Sequence, residues 1–189
     1  MRGNDTRDHI VSAADRLFYE HGYAHTSFTD IAGAVGISRG NFYHHFKTKD
    51  DILEAVIAHR LTQTRAMLQA WDAAGGDAAE RIRSFSHMLI ANREPIMRHG
   101  CPVGALCGEL AKLGHSALPE ATGLFSLFRE WLAGKFTLLG FTQTADDMAL
   151  HLLARSQGIA ALANTFHDEA FIRREVGLMD SWLDAQLRH

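Results

Sequence analysis

Between residues 26 and 52 the sequence TSFTDIAGAVGISRGNFYHHFKTKDDI brings two short helical patterns together at a glycine, and this restricts the fold more tightly than any other segment. Phe28, Ile31, Ala32 and Val35 recur at the i, i+3, i+4, i+7 spacing that lays them along one stripe of a helix facing a core. Ser27 and Asp30 form a capping box that starts this helix. Gly36 stands where the chain must leave it in a left-handed conformation, and Ser38 is placed to accept from the free amides of the next helix. The link is only about three residues long, which makes the segment a helix-turn-helix.

In the second helix, about 100° per residue counted from Phe42 puts Phe46 inward and Gly40, Tyr43, His44 and Lys47 outward. That outer surface suits the DNA major groove. Gly40 leaves room between backbone and base edges, and Arg39 and Asn41 beside it carry groups that pair with guanine and adenine. Tyr43 and Lys47 suit phosphate oxygens, which position a helix without reading sequence. Thr48 and Asp51 form a further capping box, so Lys49 is expected in the first turn of the following helix as a phosphate clamp. With the caps Ser27 and Ser38, these residues make up the expected DNA-binding surface. His45 is expected to pack inward.

The run GISRGNFYHHFKTKDDIL resembles the signature of the TetR family: a glycine, a spacer, an apolar residue, Tyr-x-His-Phe, a short gap, lysine and an apolar helix. The likeness extends upstream through the stripe Ile10, Ala13, Ala14, Leu17 and Phe18 to His21-Gly22-Tyr23, and covers about the first 55 residues. It implies an all-α protein with an N-terminal three-helix helix-turn-helix domain and a larger C-terminal helical domain for ligand binding and dimerisation. The expected division is 1–50 and 51–189. The implied function is transcriptional regulation, most simply repression relieved when a small-molecule effector removes the protein from a palindromic operator.

Charge adds no independent support, because six basic and six acidic residues among the first fifty cancel and the whole chain stands at −3. Binding to DNA then requires the positive groups to be concentrated on one face. At 189 residues, 47% hydrophobic, the chain is long enough to bury a sizeable core beyond the helix-turn-helix. No apolar run approaches the roughly 18 residues of a membrane span, and MRGNDTRDH lacks a signal-peptide pattern, so a cytoplasmic location is expected.

The remainder reads as helices: Thr48 to about Trp71, Asp77 to about Arg93 before Pro95, a short one after the loop Arg98–Pro102 to about Leu113, and Leu118 to near Gly140. The last two, Thr144 to Phe166 and Asp168 to Leu187, are candidates for a homodimer interface. Gly158 and Ala161 permit close approach in the first, and Ile172, Val176, Met179, Trp182 and Leu183 form a stripe in the second. A two-fold pairing of these helices into a four-helix bundle is what the family resemblance implies.

Phe85, Met88, Leu89, Leu106, Leu110, Phe125 and Phe128 could line an apolar effector pocket, although each also fits an ordinary helical core. Cys101 and Cys107 are added to that candidate lining. Cys101 precedes Pro102, a residue favoured at a first helical position, so its sulfur is expected at a helix N-cap, where a thiolate is favoured. The segment Gly100–Gly104 is similar to a loop in family branches that respond to electrophiles or small unsaturated acids, which makes thiol sensing by Cys101 an alternative. Six residues of separation turn Cys107 about 240° away, against an intrachain disulfide. The twelve histidines show no metal-ligand spacing, and no cofactor is expected. Cys107, Glu109 and His115 lie close in sequence, but no phosphate loop, nucleophile elbow or carboxylate pair accompanies them, so an enzyme is the remote reading.

Overall fold

The computed structural model describes residues 3–188, apart from the side chains of residues 3, 4 and 39. Among the described residues the chain is all-α: α1 Gly3–His21, α2 Phe28–Val35, α3 Arg39–His45, α4 Lys49–Ala73, α5 Ala78–Ala91, α6 Arg93–His99, α7 Pro102–Leu113, α8 Leu118–Leu138, α9 Ala145–Phe166 and α10 Glu169–Leu187. Two compact units result. One comprises residues 1–63 and 105–123, the other 64–104 and 124–189, so α4, α7 and α8 each contribute residues to both.

In the first unit α1 packs on α2 and α2 on α3. Ile10, Ala14, Ile31, Phe42, Ile52, Leu53, Val56 and Ile57 are buried almost completely. Burying one such aliphatic or aromatic side chain contributes roughly 1.5–3 kcal/mol, so these apolar stripes supply the main force holding the short helices together. Arg60 of α4 donates through Nε to Asp15 of α1 at 2.5 Å. Arg7 lies over the Phe46 ring at 4.8 Å from its centroid.

The core of the second unit joins Ile82, Phe85 and Leu89 of α5 to Phe128, Leu132 and Phe136 of α8, Leu152, Ile159 and Ala163 of α9, and Ile172, Val176, Met179 and Leu183 of α10. The α10 stripe is therefore not a free dimer surface. Ile172, Val176, Met179 and Leu183 are at most 1% exposed within the subunit, because α10 turns this face onto α5 and α9. Trp182 is half-buried and stacks on His151 at 4.5 Å between centroids, while Gly158 and Ala161 are exposed. The large apolar groups that α9 and α10 leave exposed are Leu150, Leu162, Phe166, Leu178 and Leu187.

One helix departs from the expected pattern. Residues 93–99 form α6, with Pro95 in its first turn rather than in a break. Proline is tolerated there because amides in the first turn have no helical acceptor. The helix ends at Gly100, whose φ of 77° lets the chain turn into α7.

Candidate nucleic-acid interface

The helix-turn-helix is set by its caps. Ser27 accepts from the Asp30 amide and Asp30 accepts from the Ser27 amide, so α2 begins with a reciprocal capping box. The Ser27 hydroxyl, donating to the Asp30 carboxylate at 2.7 Å, and then the Ser27 amide hold this exposed carboxyl below its ordinary range. Gly36 ends α2 at φ 72°, in the left-handed region, and its amide returns to Ala32 and Gly33. Ser38 then accepts from the Asn41 amide at 3.3 Å and opens α3.

Phe28 fixes how the two helices meet. Its ring contacts Phe42 edge-on at 5.2 Å and lies tilted against Tyr43 at 5.4 Å. Phe42 and Phe46 are buried, which leaves Gly40, Asn41, Tyr43 and His44 on the exposed side of α3. Tyr43 is 46% exposed although its ring touches Phe28, so one edge is packed while much of the side chain faces solvent. A Cβ built on Gly40 meets nothing within 4 Å. Packing within the subunit therefore gives no reason for a glycine at this position. The caps Ser27 and Ser38 are exposed as well, and the Arg39 side chain lies outside the described residues.

Two lysines differ from the sequence expectation. Lys47 lies beyond the end of α3 rather than on its outer face, because Phe46 is already extended at φ −137°. Its ammonium donates to the Tyr43 carbonyl at 2.5 Å, a cationic cap on the helix C-terminus. Lys49 does open α4, but its ammonium is turned into the α1–α2 turn. It donates to the carbonyls of Tyr23, Ala24 and Thr26 at 2.9, 3.4 and 3.2 Å and lies over the Tyr23 ring at 4.2 Å. Those contacts tie the ammonium to the α1–α2 turn. Asp51 accepts from the Lys47 and Thr48 amides, and Thr48 Oγ1 accepts from the Asp51 amide, completing the expected box at α4.

Sequence reasoning missed a second layer behind this surface. The Tyr23 hydroxyl donates to Asp50, and burial followed by that bond pushes the phenol pKa well above its ordinary value. His115 presents Nε2 to Asp50 at 3.5 Å, accepts from the Ala117 amide through Nδ1, and packs edge-on against Tyr23. Glu109 accepts from the Tyr23 and Ala24 amides at 2.8 and 2.7 Å. Glu109 and His115 thus hold backbone and ring groups. The sequence shows only that Cys107, Glu109 and His115 lie close together, without a motif that gives the group a role.

The expected effector lining is divided. Leu106, Cys107 and Leu110 are buried in the first unit, whereas Phe85, Met88, Leu89, Cys101, Phe125 and Phe128 belong to the second. Phe85 and Phe128 touch at 5.6 Å between ring centroids, and Met88, Cys101 and Phe125 pack partly buried against the same core. Cys101 caps α7 as its position predicts, with Sγ accepting from the Gly104 amide at 3.4 Å. Neither Cys101 nor Cys107 is in a disulfide.

Residues 10–56 match the family model of bacterial regulatory proteins, tetR family. The chain is 26% identical over 168 residues to an uncharacterized HTH-type transcriptional regulator in the lacX 3'region of Lactococcus lactis subsp. lactis, covering 87% of this chain and 86% of that one. It is 25% identical over 133 residues to the HTH-type transcriptional repressor DhaR of Mycobacterium sp. (strain GP1), covering 70% and 64%. For two other curated relatives it matches only 25% of their length. Among solved structures, a TetR transcriptional regulator from Legionella pneumophila superposes with a TM-score of 0.82 at 26% identity, over 92% of this chain and 94% of that chain.

Proposed function

The chain belongs to the TetR family of DNA-binding transcriptional regulators, and from that premise we propose that it is a dimeric repressor released from a palindromic operator by a small-molecule effector. The observation that carries this reading is the outer face of α3. It combines an open glycine, Gly40, with exposed Asn41, Tyr43 and His44, on a helix whose inner Phe42 is buried. A helix entering the major groove needs such a face: space for close approach, a side-chain amide for base edges, and a phenol for phosphate. Arg39 belongs to the same proposed surface through its place in α3. Ser27 and Ser38 would reach phosphates beside their caps, with Lys47 and Lys49 contributing positive charge nearby.

Two half-sites require two protomers related by a two-fold axis. Among the apolar groups left uncovered on α9 and α10, Leu150, Leu162, Phe166 and Leu178, together with Gly158 and Ala161, are the surface assigned to that contact. In this reading the first 50 residues read DNA and residues 51–189 bind effector and partner. Repression is favoured over activation because a relative, DhaR, is named a repressor. Release requires the effector to bind better to the dimer whose recognition helices are wrongly spaced, since equal affinity for both states shifts nothing. No described helix is long and apolar enough to cross a membrane, which agrees with a cytoplasmic protein.

Thiol sensing is the second reading, favoured by the Cys101 sulfur at the N-cap of α7. Here alkylation of Cys101 would release DNA without a reversible ligand. The direct experiment is selection of duplexes from a random library by the intact chain, followed by footprinting with and without iodoacetamide. The proposal expects two symmetric protected half-sites. An enriched sequence without two-fold symmetry would contradict the dimeric operator, and footprint loss with iodoacetamide, absent in Cys101→Ser, would favour the thiol reading.

A further inference from the structure

The turn between α1 and α2 is held from two sides by side chains of opposite charge. Its carbonyls, from Tyr23, Ala24 and Thr26, accept from the Lys49 ammonium at 2.9–3.4 Å. Its amides at Tyr23 and Ala24 donate to the two oxygens of one carboxylate, that of Glu109 on α7. Gly22, at φ +87°, shapes this approach. A Cβ there would stand 3.2 Å from each Glu109 oxygen in a backbone conformation that side chains disfavour.

This turn leads directly into the DNA-reading helices. Thr26 Oγ1 closes it by donating to the Gly22 carbonyl at 2.7 Å, and Ser27 is the cap of α2. Phe28, the first residue of α2, then sets α3 through Phe42 and Tyr43. We propose that Glu109 is a positioning residue for DNA binding: its carboxylate pins the Tyr23–Ala24 amides and thereby fixes the turn from which α2 and α3 are hung. The assignment rests on the DNA-binding reading. A carboxylate accepts with both oxygens, so it suits two adjacent amides. The isosteric amide of glutamine has one oxygen and would set an NH2 group against the other N–H.

The test combines amide exchange in the free full-length chain with anisotropy on a duplex selected by the wild type. In E109Q the Tyr23 and Ala24 amides are expected to exchange at least about tenfold faster than in wild type, while those of Ile52 and Val56 are unchanged. E109Q is also expected to bind the selected duplex about tenfold more weakly, with an unchanged salt slope because no phosphate contact is lost. A purely structural role would lower the unfolding midpoint without that loss of affinity. Equal exchange in the two proteins, or affinity within about twofold of wild type, overturns the assignment. Should E109Q not fold, Glu109→Asp, which keeps the charge but retracts it by one methylene, is read by the same two arms. In the wild type, exchange of the exposed Ala24 amide at the rate of a free turn would also overturn it. A wild type that selects no duplex defeats the DNA-binding reading itself, whereas a selected duplex with unprotected amides defeats only the role of Glu109.

Discussion

Gly40 separates folding from binding more cleanly than any other single position. Since a Cβ there meets no neighbour, Gly40→Ala should be folded and more stable by up to about 1 kcal/mol, while its methyl group obstructs the approach to base edges. Chemical denaturation and duplex titration of the same preparation should therefore move in opposite directions. Asn41→Ala should relax preference at particular base pairs, whereas Tyr43→Phe should weaken all duplexes alike, which competition with single-base variants of the selected duplex would reveal. Tyr23 makes a pH-dependent contribution. Its pKa is raised in the fold by burial and by Asp50, so the stabilisation is complete below the ordinary phenol value of about 10 and disappears as pH rises through the folded value. The advantage of wild type over Tyr23→Phe in denaturant midpoint should accordingly be constant to about pH 10 and shrink above it. The exposed side of α3 was legible in the sequence because helical phase alone sorts Gly40, Tyr43 and His44 from Phe42. The partners of Lys49 were not legible, because they are backbone carbonyls more than twenty residues earlier, and Glu109 is separated from Tyr23 by 86 residues.

At the scale of helices, local chemistry predicted starts and stops best. Ser27 with Asp30, Gly36, Ser38, and Thr48 with Asp51 act within four residues of the bonds they make, so sequence spacing specifies them directly. Ser38→Ala should cost about 1 kcal/mol by freeing an amide of α3, measurable as a shift in the denaturation midpoint. Bonds to Ser27 and Thr48 depress the Asp30 and Asp51 carboxyls. Their contribution is present above the ordinary carboxyl value of about 4 and lost as pH falls through the lower folded values. Carboxyl NMR titration should find both midpoints below those of an unfolded peptide. Pro95 shows where local reading failed: proline marks a break inside a helix, but in the first turn of α6 it removes only an amide that had no partner. The α10 stripe failed for another reason. Periodicity identifies an apolar face without saying whether its cover is the same chain or a second one.

In the molecule as a whole, that ambiguity decides which substitutions destabilise the subunit and which affect assembly. Leu183→Ala, at 1% exposure, should cost about 2–5 kcal/mol of unfolding free energy through lost burial and a residual cavity. Phe166→Ser, at 69% exposure, should leave the stability of the monomer nearly unchanged and weaken self-association in sedimentation equilibrium. A change in stability with no change in association would remove α9 from the proposed dimer contact. The regulator reading as a whole meets its most direct test in an anisotropy titration of the intact chain against a selected palindrome and a scrambled duplex of equal length, at one fixed salt concentration. The account predicts saturable binding to the palindrome at two protomers per duplex, with affinity at least about a hundredfold above that for the scrambled DNA. Equal affinity for the two duplexes would contradict it.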